Sequence, residues 1–336
     1  MRMRPAARMA GFCAVIAAGW LGVAGMGGTV FAGGPVAKDV PADAKAYMHL
    51  DVEALRHTKL YEAYQAAVTE GREPPPRKAL EAFTAVAGFD PLTDLDGITM
   101  YTTTMHEREG VVLMYGKINR DDIEKRVRLF ARHAEAAYGT HTIHTWWDAK
   151  NERMVAGTVY SDKCVVAGDS AERVKAAVDW LDKPAAGAAA GGSELAQRFP
   201  KGAIFHAAVD PLGALAVRPE SRALANAKSL DLTVTDVGGT MMGTLAVEAV
   251  DARAALRLTK LIEGIKATAA LNVDEATSPM TTKILEALTV QAQGTTVTVS
   301  LKHDGRSLLR DLRALREERA AAQNPPPATA KQPGKN

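Results

Sequence analysis

The chain has 336 residues, 41 basic and 39 acidic, with 47% hydrophobic and only 5% aromatic residues. This is globular composition, and it excludes collagenous, disordered and disulfide-scaffold classes. There is enough material for one large domain or two of ordinary size.

The first element is a leader. Arg2, Arg4 and Arg8 precede an acid-free apolar stretch, residues 9–32, that closes on Val30-Phe31-Ala32. Small residues three and one before the break suit signal peptidase, so residues 1–32 read as a signal peptide cleaved after Ala32. The rival is an uncleaved anchor, because the stretch has the length of a spanning helix, although its glycines disfavour a helix. Cys13 lies at the start of the stretch, which argues against lipid attachment. Cleavage removes three arginines and no acid, leaving 38 basic against 39 acidic residues. No concentrated positive face remains for nucleic acid. The expected location is exported, either periplasmic or secreted, with no stable membrane insertion once the signal is cleaved. Cys164 is then the only cysteine, set in an apolar strand-like run, and is expected as a buried hydrophobe rather than a reactive thiol.

The mature chain opens with a strand at Ala46-Tyr47-Met48-His49, followed by a helix over residues 52–68, a Pro74-Pro75-Pro76 break and a second helix over 77–87. Strands follow at 94–99 and 111–118, and Asn119 caps a helix whose stripe of Ile123, Val127, Phe130 and Ala134 recurs at helical spacing. Short polar breaks separate strands at 140–147, 154–160 and 163–167, the pattern of an antiparallel meander. Asp169 with Glu172 forms a capping arrangement for the next helix. Residues 184–201 read as a Gly/Ala-rich linker.

Beyond it, Ala203-Ile204-Phe205-His206 forms a strand, residues 230–237 and 241–250 flank Gly238-Gly239 as a hairpin, and 287–292 pairs with 296–301. In the last strand the valines alternate with hydroxyls, so one face packs and the other is wet. A helix with a stripe of Leu258, Ile262, Ile265 and Ala269 lies between the hairpins, and Ser278-Pro279 opens another.

These elements can be laid over one another. The strand ending in His49 and followed by Asp51 matches the strand ending in His206 and followed by Asp210, and the capped helices after each third strand agree in period. The expected fold is α+β with two related halves, 40–183 and 202–320, each an antiparallel sheet with helices packed on one face, followed by a disordered tail over 321–336.

Chemical constellations are sparse. His141 and His144 are three apart on a strand and therefore point to opposite faces, so no metal is expected. His106-Glu107 lacks the second histidine of a helical zinc motif. Asp90, Asp94 and Asp96 before Gly97 miss the calcium-loop register. Gly168-Asp169-Ser170 lacks the second glycine of a nucleophile elbow, and no phosphate-cradling glycine loop is present. No catalytic residue and no cofactor is assigned. The candidates for ligand contact are His144, Trp146 and Trp147, of which one indole should enter the core and the other face outward, and the corresponding pair His49 and His206.

The run from Gly88-Phe89-Asp90-Pro91 to Gly97-Ile98-Thr99, Gly168-Asp169 before a helix, and Met242-Gly243-Thr244-Leu245 through Ala249 resemble exported bacterial proteins of unknown function with a duplicated α+β body. That resemblance implies a fold and no reaction. The expectation is a non-catalytic binding or interaction module of the cell envelope, whose partner is an envelope protein or ligand. The alternative is an envelope hydrolase using His49 or His206 with neighbouring carboxylates.

Overall fold

The computed structural model describes residues 37–71, 84, 88–91, 93–105, 109–149, 151–182, 192–212, 225–271 and 279–323. The leader, the helix expected at 77–87 apart from residue 84, the His106-Glu107 turn, residues 184–191 of the linker and the tail from 324 lie outside them.

The chain first lays down β1 (Ala46–Asp51), α1 (Val52–Arg56), α2 (Lys59–Thr69), β2 (Leu95–Thr102), β3 (Val111–Gly116) and α3 (Arg120–Val127). Four strands follow, β4 (Ala134–Tyr138), β5 (His141–Asp148), β6 (Arg153–Ser161) and β7 (Cys164–Gly168), then α4 (Ala171–Asp182) and α5 (Glu194–Gln197). The remainder comprises β8 (Ala203–Val209), β9 (Ala227–Val237), β10 (Thr240–Ala249), α6 (Ala252–Leu271), α7 (Pro279–Ala287), β11 (Thr289–Gln293), β12 (Thr296–Asp304) and α8 (Gly305–Gln323). Helices are combined with a wholly antiparallel sheet, an α+β fold.

All twelve described strands join one sheet, in the order β11-β12-β10-β9-β8-β1-β2-β3-β7-β6-β5-β4. The central ladder is β1 against β8, with His49 directly opposite His206. The meander β5-β6-β7 and both later hairpins pair as their turn residues predict.

Several local expectations fail for identifiable reasons. The helix expected over 52–68 is two helices. Asp51 accepts the Ala54 N–H at 2.7 Å to start α1, and Thr58 accepts the Tyr61 N–H at 3.1 Å to start α2, so a second cap interrupts the run. The stripe continued to Ala134 ends at Val127. Arg132 adopts a left-handed φ of 56°, and residues 134–138 pair with β5, a tertiary ladder overriding the helical period. Ser170, not Asp169, caps α4 by accepting the Arg173 N–H at 3.3 Å. Asp169 instead accepts the Gly110 N–H at 2.8 Å. Within the expected linker, Ser193 caps α5 and Leu195 and Ala196 are buried. Gly192 makes this approach possible: its φ is +74°, and a Cβ there would stand 2.0 Å from the Ala37 carbonyl oxygen.

One face of the sheet buries Tyr47, Tyr101, Leu113 and Val166 under α4 and α5. The opposite face is covered at one flank by α6, whose Ala255 and Leu258 pack on Val247 and Val297, and at another by α1, α2 and α8. Val297 is fully buried while its neighbour Thr298 is not, as the alternation requires. Cys164 is buried, and burial pushes its thiol up to about 12. Among the described residues no helix is long and apolar enough to cross a membrane.

Candidate functional site

Between the helices on the second face the sheet is left open as a trough of about 380 Å³. Its floor follows from strand register. Met114, Ile98, Leu50, Phe205, Val234, Gly243 and Leu301 are successive cross-strand partners on β3, β2, β1, β8, β9, β10 and β12, and all seven line the trough. Because side chains alternate along each strand, one apolar residue at the right parity in each of seven strands produces one continuous stripe. Six interstrand steps of about 4.8 Å make the stripe roughly 29 Å long. A second row, Val112, Met100 and Met48, widens it beside β1.

Leu55 from α1 and Leu308 from α8 form a wall. Gly243 is the notch in the floor: a Cβ built there meets nothing within 4 Å. Its methionines give the trough adaptable, polarizable walls.

Among the lining residues only His303 is polar. Its Nδ1 lies 2.9 Å from the Asp304 carbonyl oxygen and its Nε2 3.0 Å from Asp311 Oδ2. Lys283 donates to the same carboxylate at 3.1 Å, and the Arg310 Nε–H to its other oxygen at 2.9 Å. Burial raises the Asp311 carboxyl, but the hydrogen bonds from Arg310 and Lys283 outweigh it and hold the group below its ordinary value. One end of an otherwise apolar trough is thus an ordered polar cluster.

The residues singled out from sequence lie elsewhere. His49 and His206 meet across the β1–β8 ladder, but on the opposite face, where both are 1% exposed and Phe199 sits edge-on to each, at 5.3 and 6.0 Å between ring centroids. His49 Nδ1 contacts Thr99 Oγ1 at 2.8 Å. His206 Nε2 is 3.2 Å from Asp231, a carboxylate that the sequence reading did not assign to it, and Arg198 lies 3.5 Å from that same carboxylate. Asp51 serves α1 as a cap, and burial raises its carboxyl to about 6. Asp210 lies 3.6 Å from Arg198.

Neither tryptophan enters the core. Both are half-buried: Trp146 lies over Gly157 and 5.8 Å from Phe130, and Trp147 lies under the Arg132 guanidinium at 4.6 Å. This end of β5 lies near the sheet margin, beyond the helix layers that bury Ile143. His144 is buried and contacts His133 across the β4–β5 hairpin. Burial lowers its pKa from the ordinary histidine value. His141 stacks on Tyr160 at 5.0 Å and faces Asp182 at 3.6 Å.

The trough escaped sequence reading because its residues look like core. The available signal was the run of methionines, Met48, Met100 and Met114, at inward positions of three neighbouring strands.

No protein family and no curated protein matches the chain. Among solved structures, crystal form III of TP0453 aligns with a TM-score of 0.46 at 10% identity, covering 84% of this chain and 98% of that one. Crystal form I aligns with a TM-score of 0.45 at 11% identity, covering 84% and 97%. Neither likeness carries an activity or a ligand over to this protein.

Proposed function

We propose that this protein is an exported, non-catalytic binding module that carries one linear aliphatic chain in the sheet-face trough, with the ligand's polar end at His303. The observation that carries the reading is the unbroken apolar row from Met114 to Leu301, open between helices and polar only at one end. At roughly 30 Å³ per methylene-sized unit, taking a water's share of liquid as the measure, a 380 Å³ trough accepts about a dozen methylenes. At about 0.8 kcal/mol each their transfer is worth about 10 kcal/mol, against an association cost of about 4–15 kcal/mol. At the low end of that cost the net is about 6 kcal/mol, a dissociation constant of roughly tens of micromolar.

Export is supported by the leader. A relation between the halves 40–183 and 202–320 is supported by the strand orders β1-β2-β3-β7-β6 and β8-β9-β10-β12-β11, which repeat one connectivity. It is supported further by the β1–β8 register. In it the two equated histidines, His49 and His206, stand directly opposite each other, where a twofold relation between the halves would put them. On this reading the trough is built where the two halves meet. The hydrolase alternative gains no support, since His49 and His206 face away from the trough.

The test is calorimetric titration of the protein with a saturated carboxylate of about twelve carbons and with a four-carbon homologue. The proposal expects one site, a dissociation constant of tens of micromolar for the longer chain and no binding of the shorter. Equal binding of both, or none of either, overturns it.

A further inference from the structure

We propose that His133, Glu135 and His144 form a binding site for a divalent transition-metal ion, zinc by preference, at the β4 edge of the sheet. Glu135 and His144 are direct cross-strand partners on β4 and β5. His133 lies just before β4, and its ring stacks on that of His144 at 5.4 Å between centroids. His133 Nε2 and His144 Nδ1 are 3.1 Å apart, His144 Nδ1 and Glu135 Oε2 3.7 Å, and all three ligand atoms lie within 4.8 Å of one another.

An ion with bonds of about 2.0–2.2 Å in tetrahedral geometry holds its ligand atoms roughly 3.3–3.6 Å apart, which the separations of 3.1 and 3.7 Å bracket. Two imidazoles and one carboxylate select zinc and its transition-metal neighbours over magnesium or calcium, which take oxygen ligands. His144 is 2% exposed and fixed in the strand, whereas Glu135 is half in solvent. The set therefore supplies three protein ligands on a buried base and leaves the fourth position to water or to a partner's side chain.

The competing charge is Arg128, whose Nε lies 3.1 Å from Glu135 Oε2 and whose Nη2 is 3.4 Å from Glu124. Glu124 offers the guanidinium a second carboxylate when Glu135 turns to an ion. His141, three residues from His144 on the same strand, lies on the other face. The partnership with His133 and Glu135 is hidden in the sequence because the helical stripe runs on to Ala134 and only the ladder with β5 makes 134–138 a strand. Bound metal would fasten β4, four of whose five residues are exposed, to the body of the sheet.

The experiment is calorimetric titration of tag-free, chelator-treated protein with zinc chloride, with magnesium chloride as a control, on wild type and on His133→Gln, Glu135→Gln and Arg128→Gln. The expected result is one zinc per chain, no magnesium binding, at least tenfold weaker binding in His133→Gln and Glu135→Gln, and binding in Arg128→Gln no weaker than wild type. His133 is only half-buried, so its variant tests the site without removing a core group. Cobalt(II) added to the wild type should give the visible absorption of a tetrahedral site, and His133→Gln should abolish it. Absence of zinc binding, or zinc binding unchanged in His133→Gln, overturns the proposal.

Discussion

Replacing Gly243 by leucine should close the trough without disturbing the sheet. Gly243 is the sixth of the seven row positions, on β10 between Val234 and Leu301, and a Cβ there enters open space. The leucine side chain adds four carbons, roughly 120 Å³ at about 30 Å³ each, or about a third of the 380 Å³ available. Some four methylenes of ligand are displaced, worth about 3 kcal/mol at 0.8 kcal/mol each, which is a loss of affinity on the order of a hundredfold.

The fold should gain rather than lose, because glycine in a strand interior costs about 0.5–1 kcal/mol relative to a residue with a side chain. The assay pairs calorimetric titration of the twelve-carbon carboxylate with thermal unfolding of the same preparation. Gly243→Ala, adding one methyl, should weaken binding about fourfold. Affinity within twofold of wild type in Gly243→Leu, with an undiminished Tm, would show that the ligand does not lie along this row. A fall in Tm would show that the notch is not open.

Two further substitutions test the frame that holds the trough. Burial raises the Asp51 carboxyl from the ordinary 3.8 to about 6. The folded protein therefore binds an extra proton between those values, and stability falls as pH rises from about 4 through 6. Asp51→Asn keeps the cap on α1 and removes that penalty, so thermal melts at pH 7.5 should show it more stable than wild type by about 1–2 kcal/mol, with the difference shrinking by pH 4.5. A less stable Asn variant at pH 7.5 would refute the assignment. A Cβ at Gly116 would stand 2.0 Å from the Asp94 carbonyl oxygen, so Gly116→Ala should cost about 2–4 kcal/mol in denaturant unfolding. The register of β2 against β3 shifts between Leu95, opposite Gly116, and Gly97, and a change below about 0.5 kcal/mol would mean that the backbone yields there.

How much of this was legible depends on which physical signal each part carries. Strands 141–148, 153–161 and 164–168 were readable because short polar breaks leave only antiparallel neighbours within reach. Residues 134–138 were not. Glu-Ala-Ala after Ala134 favours a helix, and only the ladder with β5 and the left-handed Arg132 make it a strand. The strings around His49 and His206 are alike, but nothing in them says that their strands pair and fuse twelve strands into one sheet, since pairing between distant segments leaves no local mark. The trough was hidden for a related reason. An inward-facing Met48 or Leu232 reads the same whether a helix covers it or a ligand does, and only the placement of α1, α2, α6 and α8 separates the two.

The measurement closest to the central claim is native mass spectrometry of the full chain purified without detergent from a cell envelope, followed by organic extraction of the same sample. Binding in the trough predicts one adduct per chain with the mass of a single-chain aliphatic compound, absent from Gly243→Leu. A chain free of adducts that also fails to take up added twelve-carbon carboxylate, or an adduct retained in full by Gly243→Leu, would contradict it.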